Sequence, residues 1–208
     1  KKLNDFIYTY RDNQYTNAKF SQDFPNLVNP IPAVNPGNWS LTQERNGENV
    51  SVYGFEVAVQ RQLDFIPGKF FKGLGVYLNY TFTDSEAKGI TNTDGEERKD
   101  VTLPGTAPHM FNSSLSWENK KFSARISLNY AADYLDELGG DSFDDRFYDK
   151  QTFIDANASY KFTSKLRVFA EANNLTNQPL RYYQGVAART MQMAYYQARF
   201  NLGLKFDF

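Results

Sequence analysis

Asp136, Glu137, Asp141, Asp144, Asp145 and Asp149 crowd one short stretch of the chain, and clustered carboxylates are the usual oxygen ligands of calcium. Their spacing does not match the helical-hand calcium loop, which places oxygens at alternate positions and a bidentate Glu at the twelfth. The stretch therefore reads as a solvated acidic loop. His109 is the only histidine and cysteine is absent, so a multi-histidine metal site and an internal Cys-His pair are excluded. A Ser-His-Asp triad through His109 lacks any nucleophile motif such as G-x-S-x-G. The expectation is that His109 packs or hydrogen-bonds near a strand entrance. Gly73-Leu74-Gly75 is followed by neither a third spaced glycine nor a helix, so it is no phosphate cradle. What remains is a set of rings beside arginine: Arg181, Tyr182 and Tyr183, with Trp39, Tyr134 and Tyr148 in other connections. Such groups stack on sugars or grip anionic ligands. Arg181, Tyr182 and Tyr183 are the candidate ligand-binding residues; no catalytic residue, metal site or cofactor is called for.

The 208 residues carry 23 basic and 24 acidic side chains, intermixed, for a net charge of -1. That balance leaves no electrostatic footprint for nucleic acid. The chain opens at Lys1 with no signal peptide or apolar h-region, so a fragment or a processed product is expected. No apolar run approaches the ~18 residues of a spanning helix. The mean hydropathy of -0.61 leaves membrane barrels open, because their lumen-facing residues are polar. Aromatics reach 16%, as suits rings placed at membrane interfaces.

The elements that would position the candidate side chains are strands of period two. The clearest is residues 194–208, where Ala194, Tyr196, Ala198, Phe200, Leu202, Leu204, Phe206 and Phe208 alternate with a set that is polar apart from Tyr195. As one strand it would span roughly 50 Å, beyond the ~9–11 residues that cross a bilayer. Residues 4–11, 50–63, 75–82, 111–117, 122–130, 154–162 and 166–172 alternate similarly. Phe169 breaks the pattern of the last, on the otherwise polar face.

Between these eight strands lie four long connections, at about 12–48, 85–108, 135–147 and 173–190, alternating with three short turns. Pro25, Pro30, Pro32 and Pro36 forbid a central strand or a helix through the first. Long loops at one end and short turns at the other are characteristic of outer-membrane barrels. Alternation alone does not say whether the apolar face looks out to lipid or in to a soluble barrel's core. Strand length, loop asymmetry and rings gathered near strand ends (Tyr80, Phe82, Trp117, Tyr130, Tyr160, Phe162, Phe206, Phe208) favour lipid.

Several short pieces of the chain together resemble the C-terminal part of the barrel of a TonB-dependent outer-membrane receptor. The likeness rests on the opening KKLNDFIYTYR and on Leu103-Pro104-Gly105-Thr106-Ala107-Pro108 before a strand. It rests also on Asn173-Asn174-Leu175-Thr176-Asn177 after the penultimate strand, and on the alternating aromatic C-terminus. It implies an all-β, antiparallel transmembrane barrel of about 22 strands, plugged by an N-terminal domain. Residues 1–208 would be its last third, with plug and earlier strands elsewhere. It further implies residence in the bacterial outer membrane and TonB-dependent uptake of a scarce nutrient: an iron-siderophore, cobalamin or an oligosaccharide. The partners implied are outer-membrane lipid, TonB through the missing N-terminal part, and the barrel assembly machinery. That machinery would read Leu204, Phe206 and Phe208. Two other readings stay open: a complete eight-stranded barrel of structural or adhesive role, and an outer-membrane enzyme.

Overall fold

The computed structural model describes residues 1–28 and 39–207; Phe208, Pro30, Pro32 and Pro36 lie outside the described residues. The elements are β1 (Lys2–Asn4), β2 (Ile7–Tyr15), α1 (Asn17–Asp23), β3 (Trp39–Asn46), β4 (Asn49–Gln62), β5 (Leu74–Ala87), β6 (His109–Glu118), β7 (Phe122–Ala131), β8 (Tyr134–Glu137), β9 (Arg146–Tyr148), β10 (Gln151–Lys161), β11 (Leu166–Asn173), β12 (Leu180–Gln184), β13 (Thr190–Ala194) and β14 (Arg199–Phe206). The wall is one 8-stranded sheet in the order β1-β4-β5-β6-β7-β10-β11-β14, antiparallel throughout. It is open: among the described residues β1 and β14 do not pair with each other.

Register gives the wall two unlike faces. One row across six strands reads Val76, Leu115, Ile126, Ala156, Ala172, Phe200; the next reads Gly75, Ser116, Arg125, Asn157, Glu171, Asn201. The apolar face is left uncovered by the rest of the chain, with Phe55 56%, Val57 55%, Leu115 46%, Ile126 48% and Leu202 80% exposed. The polar face is stitched instead: Asn79 donates to Glu56 at 2.6 Å, and the Ser123 and Ser159 hydroxyls meet at 2.9 Å. A slip of one residue would exchange the faces.

Rings band the apolar face at both ends. At the loop end Phe82 lies 5.7 Å from Phe55, and Tyr80 shares a 2.9 Å hydrogen bond with His109. His109 thus packs at a strand entrance as expected. At the turn end Phe70 stacks on Trp117, whose indole N–H donates to the Phe70 carbonyl at 2.9 Å. Along β6 the eight steps from His109 to Trp117 cover about 26 Å of strand, the scale of the apolar band of an outer-membrane barrel.

Three expectations are corrected. Residues 4–11 are not one strand: at Asp5 (φ 52) the chain leaves the wall, and Ile7–Tyr15 pairs with Trp39–Asn46 in a separate 2-stranded sheet. The registers of the two ladders are continuous, Leu3 opposite Val50 and Ile7 opposite Asn46, so a single hairpin projects beyond the wall. Hence the first connection is not irregular from Asp12 onward; it holds the rest of β2, α1 and β3, with α1 ending ahead of Pro25. Nor are residues 194–208 one strand. Only Arg199–Phe206 joins the wall, while Thr190–Ala194 pairs with β12, and Gln197 at φ 60 breaks the ribbon between them.

The out-of-phase Phe169 also finds its cause. It lies opposite Gly203, and a Cβ built on Gly203 would sit 2.3 Å from the Phe169 ring. The ring covers the gap that glycine leaves in the neighbouring strand. Replacing Gly203 by Val should therefore destabilise the barrel by about 1–3 kcal/mol through overpacking, with part recovered when Phe169→Ala is added. Urea unfolding in lipid vesicles measures both; an unchanged midpoint for Gly203→Val would contradict the packing.

Candidate functional site

Above the wall the long connections fold into one body. Tyr8 and Tyr10 of β2, Val50, Ala87, Ile90, Val101, Leu135 and Leu138 form a single buried cluster. Among the described residues the buried apolar core therefore sits at the loop end, where Val50 and Ala87 at the tips of β4 and β5 meet the connections. Polar contacts tie the layer further. The Tyr8 hydroxyl accepts from the Thr91 amide at 3.2 Å, Thr93 donates to the Gly140 carbonyl at 3.1 Å, and Gly185 donates to that of Asp145 at 2.8 Å.

Most of the acidic stretch is ion-paired inside this body rather than solvated, which corrects the sequence reading for all but the exposed Asp141. Arg146 bridges Asp136 at 2.6 Å and Glu137 at 2.7 Å, and Glu137 also meets Arg11 of β2. Arg98 holds Asp145, whose side chain is 6% exposed, and Asp145 also accepts from the Gly139 amide at 2.8 Å. Asp141 accepts from the amides of Phe143 and Asp144, and Asp149 takes Arg181 at 2.7 Å. Lys19 reaches the buried Asp12 at 3.0 Å, and that hydrogen bond raises the Lys19 pKa. Four of the six acids are thus ion-paired, and the Arg11–Glu137, Arg98–Asp145 and Arg181–Asp149 pairs tie one loop segment to another.

The three candidate ligand residues sit together on β12, in a 4-stranded loop sheet of order β13-β12-β9-β8. Their groups are largely engaged. Arg181 donates to Asp149, to Thr190 Oγ1 at 3.1 and 2.9 Å, and to the Ala187 carbonyl. Tyr183 is 5% exposed, stacks on Phe147 at 5.2 Å and donates to Asp133. Burial and that hydrogen bond push its pKa well above the ordinary tyrosine value. Tyr182 is half-buried, 4.8 Å from the Tyr148 ring and 5.2 Å from the Arg146 guanidinium.

A cleft of about 480 Å³ lies beside them, where the polar face of the wall meets the loop layer. Its floor is the row Asp155, Asn173, Arg199, continued from the pairings of β10, β11 and β14. Phe153 and Tyr148 line one side, Tyr196 and Gln197 the other. The segment Asn173-Asn174-Leu175-Thr176-Asn177 clamps it from below. Asn174, at φ 57, donates its amide to Asp155 at 2.8 Å and its side-chain nitrogen to the Gln197 carbonyl at 3.4 Å, while Thr176 donates to the Thr152 carbonyl at 2.7 Å. Sequence reading missed this cleft, because Tyr196 and Arg199 were assigned to an unbroken strand. One signal was there: Phe153 falls in phase with the polar set of β10.

A family model described as TonB dependent receptor-like, beta-barrel, matches residues 2–175. The chain belongs to the TonB-dependent receptor β-barrel family. Its place is therefore the bacterial outer membrane, and its open sheet is part of a transmembrane barrel wall. Solved structures agree on the fold. The copper transporter OprC is 16% identical with a TM-score of 0.56, covering 99% of this chain and 27% of its own. The siderophore receptor PiuA from Acinetobacter baumannii is 15% identical with a TM-score of 0.52, covering 76% and 22%. The ferric enterobactin receptor PfeA from Pseudomonas aeruginosa is 15% identical with a TM-score of 0.51, covering 100% and 27%. The chain thus spans about a quarter of the length of these structures. No curated protein sequence matches it.

In a receptor wall of this family the loop layer needs internal ties to hold its shape. Arg98→Ala would leave Asp145 buried and unpaired, at a cost of about 3–5 kcal/mol. Limited proteolysis of the full-length receptor should then cut within residues 138–146 more than tenfold faster than in the parent. An unchanged cleavage rate would show that the pair does not hold the loops.

Proposed function

We propose that residues 1–208 are the C-terminal portion of an outer-membrane receptor that captures a scarce nutrient and admits it by TonB-dependent transport. The plug and the earlier strands lie in the rest of that protein. This portion supplies eight strands of wall, a polar lining, and loops that meet the ligand first. The observation that carries the reading is the two-faced open wall crowned by one interlocked loop body. A barrel wall alone needs no such layer, and a receptor does. Receptors for siderophores and a copper transporter share this fold.

The remaining assignments follow physically. The apolar face meets outer-membrane lipid, since turning Arg125 to lipid instead would cost about 2–4 kcal/mol near the midplane. Leu204, Phe206 and Phe208 serve the barrel assembly machinery as a terminal signal; Leu204 and Phe206 are 72% and 53% exposed on that face. TonB engages the missing N-terminal part. Arg181, Tyr182 and Tyr183 act on ligand mainly by shaping β12, whose Leu180 lines the cleft and whose Tyr182 packs on the lining Tyr148. The reading is non-enzymatic: His109 is committed to Tyr80 on the lipid side, away from the polar lining.

Uptake by cells carrying the full-length receptor tests this. Labelled ferric chelates, cobalamin and neutral oligosaccharides are offered singly, with TonB present or deleted. One of them should accumulate only when TonB is present. Accumulation of none, or accumulation indifferent to TonB, would contradict the proposal.

A further inference from the structure

The charge pattern of the loop layer restricts what the rim cleft can hold. A strongly anionic ligand needs several unspent cations, and a bare metal ion needs several unspent carboxylates. Neither is gathered in the lining of the cleft. Arg11, Arg98, Arg146 and Arg181 are each ion-paired, Arg189 lies over Phe143 at 3.8 Å, and Arg45 lies over Tyr10 at 3.5 Å. Among the described residues no group of three or more His, Cys, Asp or Glu side chains is placed to hold a metal.

The cleft itself carries one cation and one carboxylate, Arg199 and Asp155, on the same polar row. Arg199 has no carboxylate partner among the described residues. Asp155 spends one oxygen on the Asn174 amide at 2.8 Å. Around them stand amide side chains and three rings, with Tyr196 67% exposed. Its volume of about 480 Å³ falls in the ~300–1,000 Å³ range of small-molecule sites.

Flat rings beside planar, multi-donor side chains suit a ligand with alternating C–H faces and hydroxyl edges. Apolar sugar faces lie on rings, while Arg, Asp, Asn and Gln each bond a pair of neighbouring hydroxyls. We propose that the rim cleft is a binding site for a neutral saccharide. Phe153 and Tyr196 are its stacking platforms, and Arg199, Asp155 and Asn173 its hydroxyl-reading groups. The left-handed turn at Gln197 is what opens the site. Past it β14 begins only at Arg199, so Tyr196 lies outside the strand. The proposal names the ligand class for the uptake reading above and rests on it.

The test uses the full-length receptor, purified in detergent, on an array of neutral and anionic oligosaccharides. Ferric citrate is titrated separately. Binding to one or more neutral glycans is expected, surviving high salt because no net charge drives it. Phe153→Ala and Tyr196→Ala should each weaken that binding at least tenfold, and Arg199→Lys should weaken it by losing the two-pronged contact. All three variants should keep the parent's circular dichroism; Tyr196, largely exposed, has little folding role to lose. Binding to no neutral glycan would overturn the proposal, as would glycan binding indifferent to Phe153→Ala and Tyr196→Ala. TonB-dependent accumulation of a ferric chelate without glycan binding would sink the saccharide assignment and leave the uptake reading standing. Glycan binding without TonB-dependent accumulation of any nutrient would do the reverse.

Discussion

Antiparallel register is the constraint on which the rest depends. Because side chains alternate strictly along a strand, pairing Leu115 with Ile126 and Ser116 with Arg125 commits every residue of the wall to one side or the other. The commitment propagates from β4 to β14, and no local interaction can reverse it in one strand alone. It also explains where the buried core is. A wall one sheet thick has no interior between layers, so the buried apolar residues gather at its loop end, where connections pack on each other and on the tips of β4 and β5.

That upper layer behaves physically like a small soluble domain tethered to a membrane wall. It has a buried apolar cluster, short sheets of its own and ion pairs that close between loops. A buried pair such as Arg98 and Asp145 is weak evidence for stability in itself, since desolvation opposes its attraction. It does fix geometry, because neither partner can leave alone without stranding the other. With one Arg and one Asp in its lining the cleft is near-neutral, and its shape is set by the positive φ of Asn174 and Gln197 and by the hydrogen bond from the Asn174 side chain to the Gln197 carbonyl.

Much of the wall was legible in the sequence. Alternation in Phe122 to Tyr130 and Ile154 to Phe162 named both strands and faces, and loop lengths named the two ends. Where the reading failed, period two persisted through a change of partner. Ala194, Tyr196, Ala198 and Phe200 keep phase across the break at Gln197, so hydrophobicity carried no mark of it. The same holds at Asp5, where Leu3 and Ile7 stay in register across a bend. The acids of the third loop looked solvated because their arginines, at positions 11, 98 and 181, are distant in sequence and near only in the fold. The exceptions to alternation were the informative residues: Phe169 marks the bare glycine beside it, and Phe153 marks the cleft.

The most direct measurement of the central claim is collision of nitroxide labels with oxygen and with a water-soluble nickel chelate, on the full-length receptor in lipid vesicles. Labels at Leu115, Ile126 and Leu202 should collide with oxygen and be shielded from nickel, and labels at Ser114, Ser127 and Asn201 should show the opposite preference. Nickel access at the first three together with oxygen preference at the second three would mean that the sheet faces the other way.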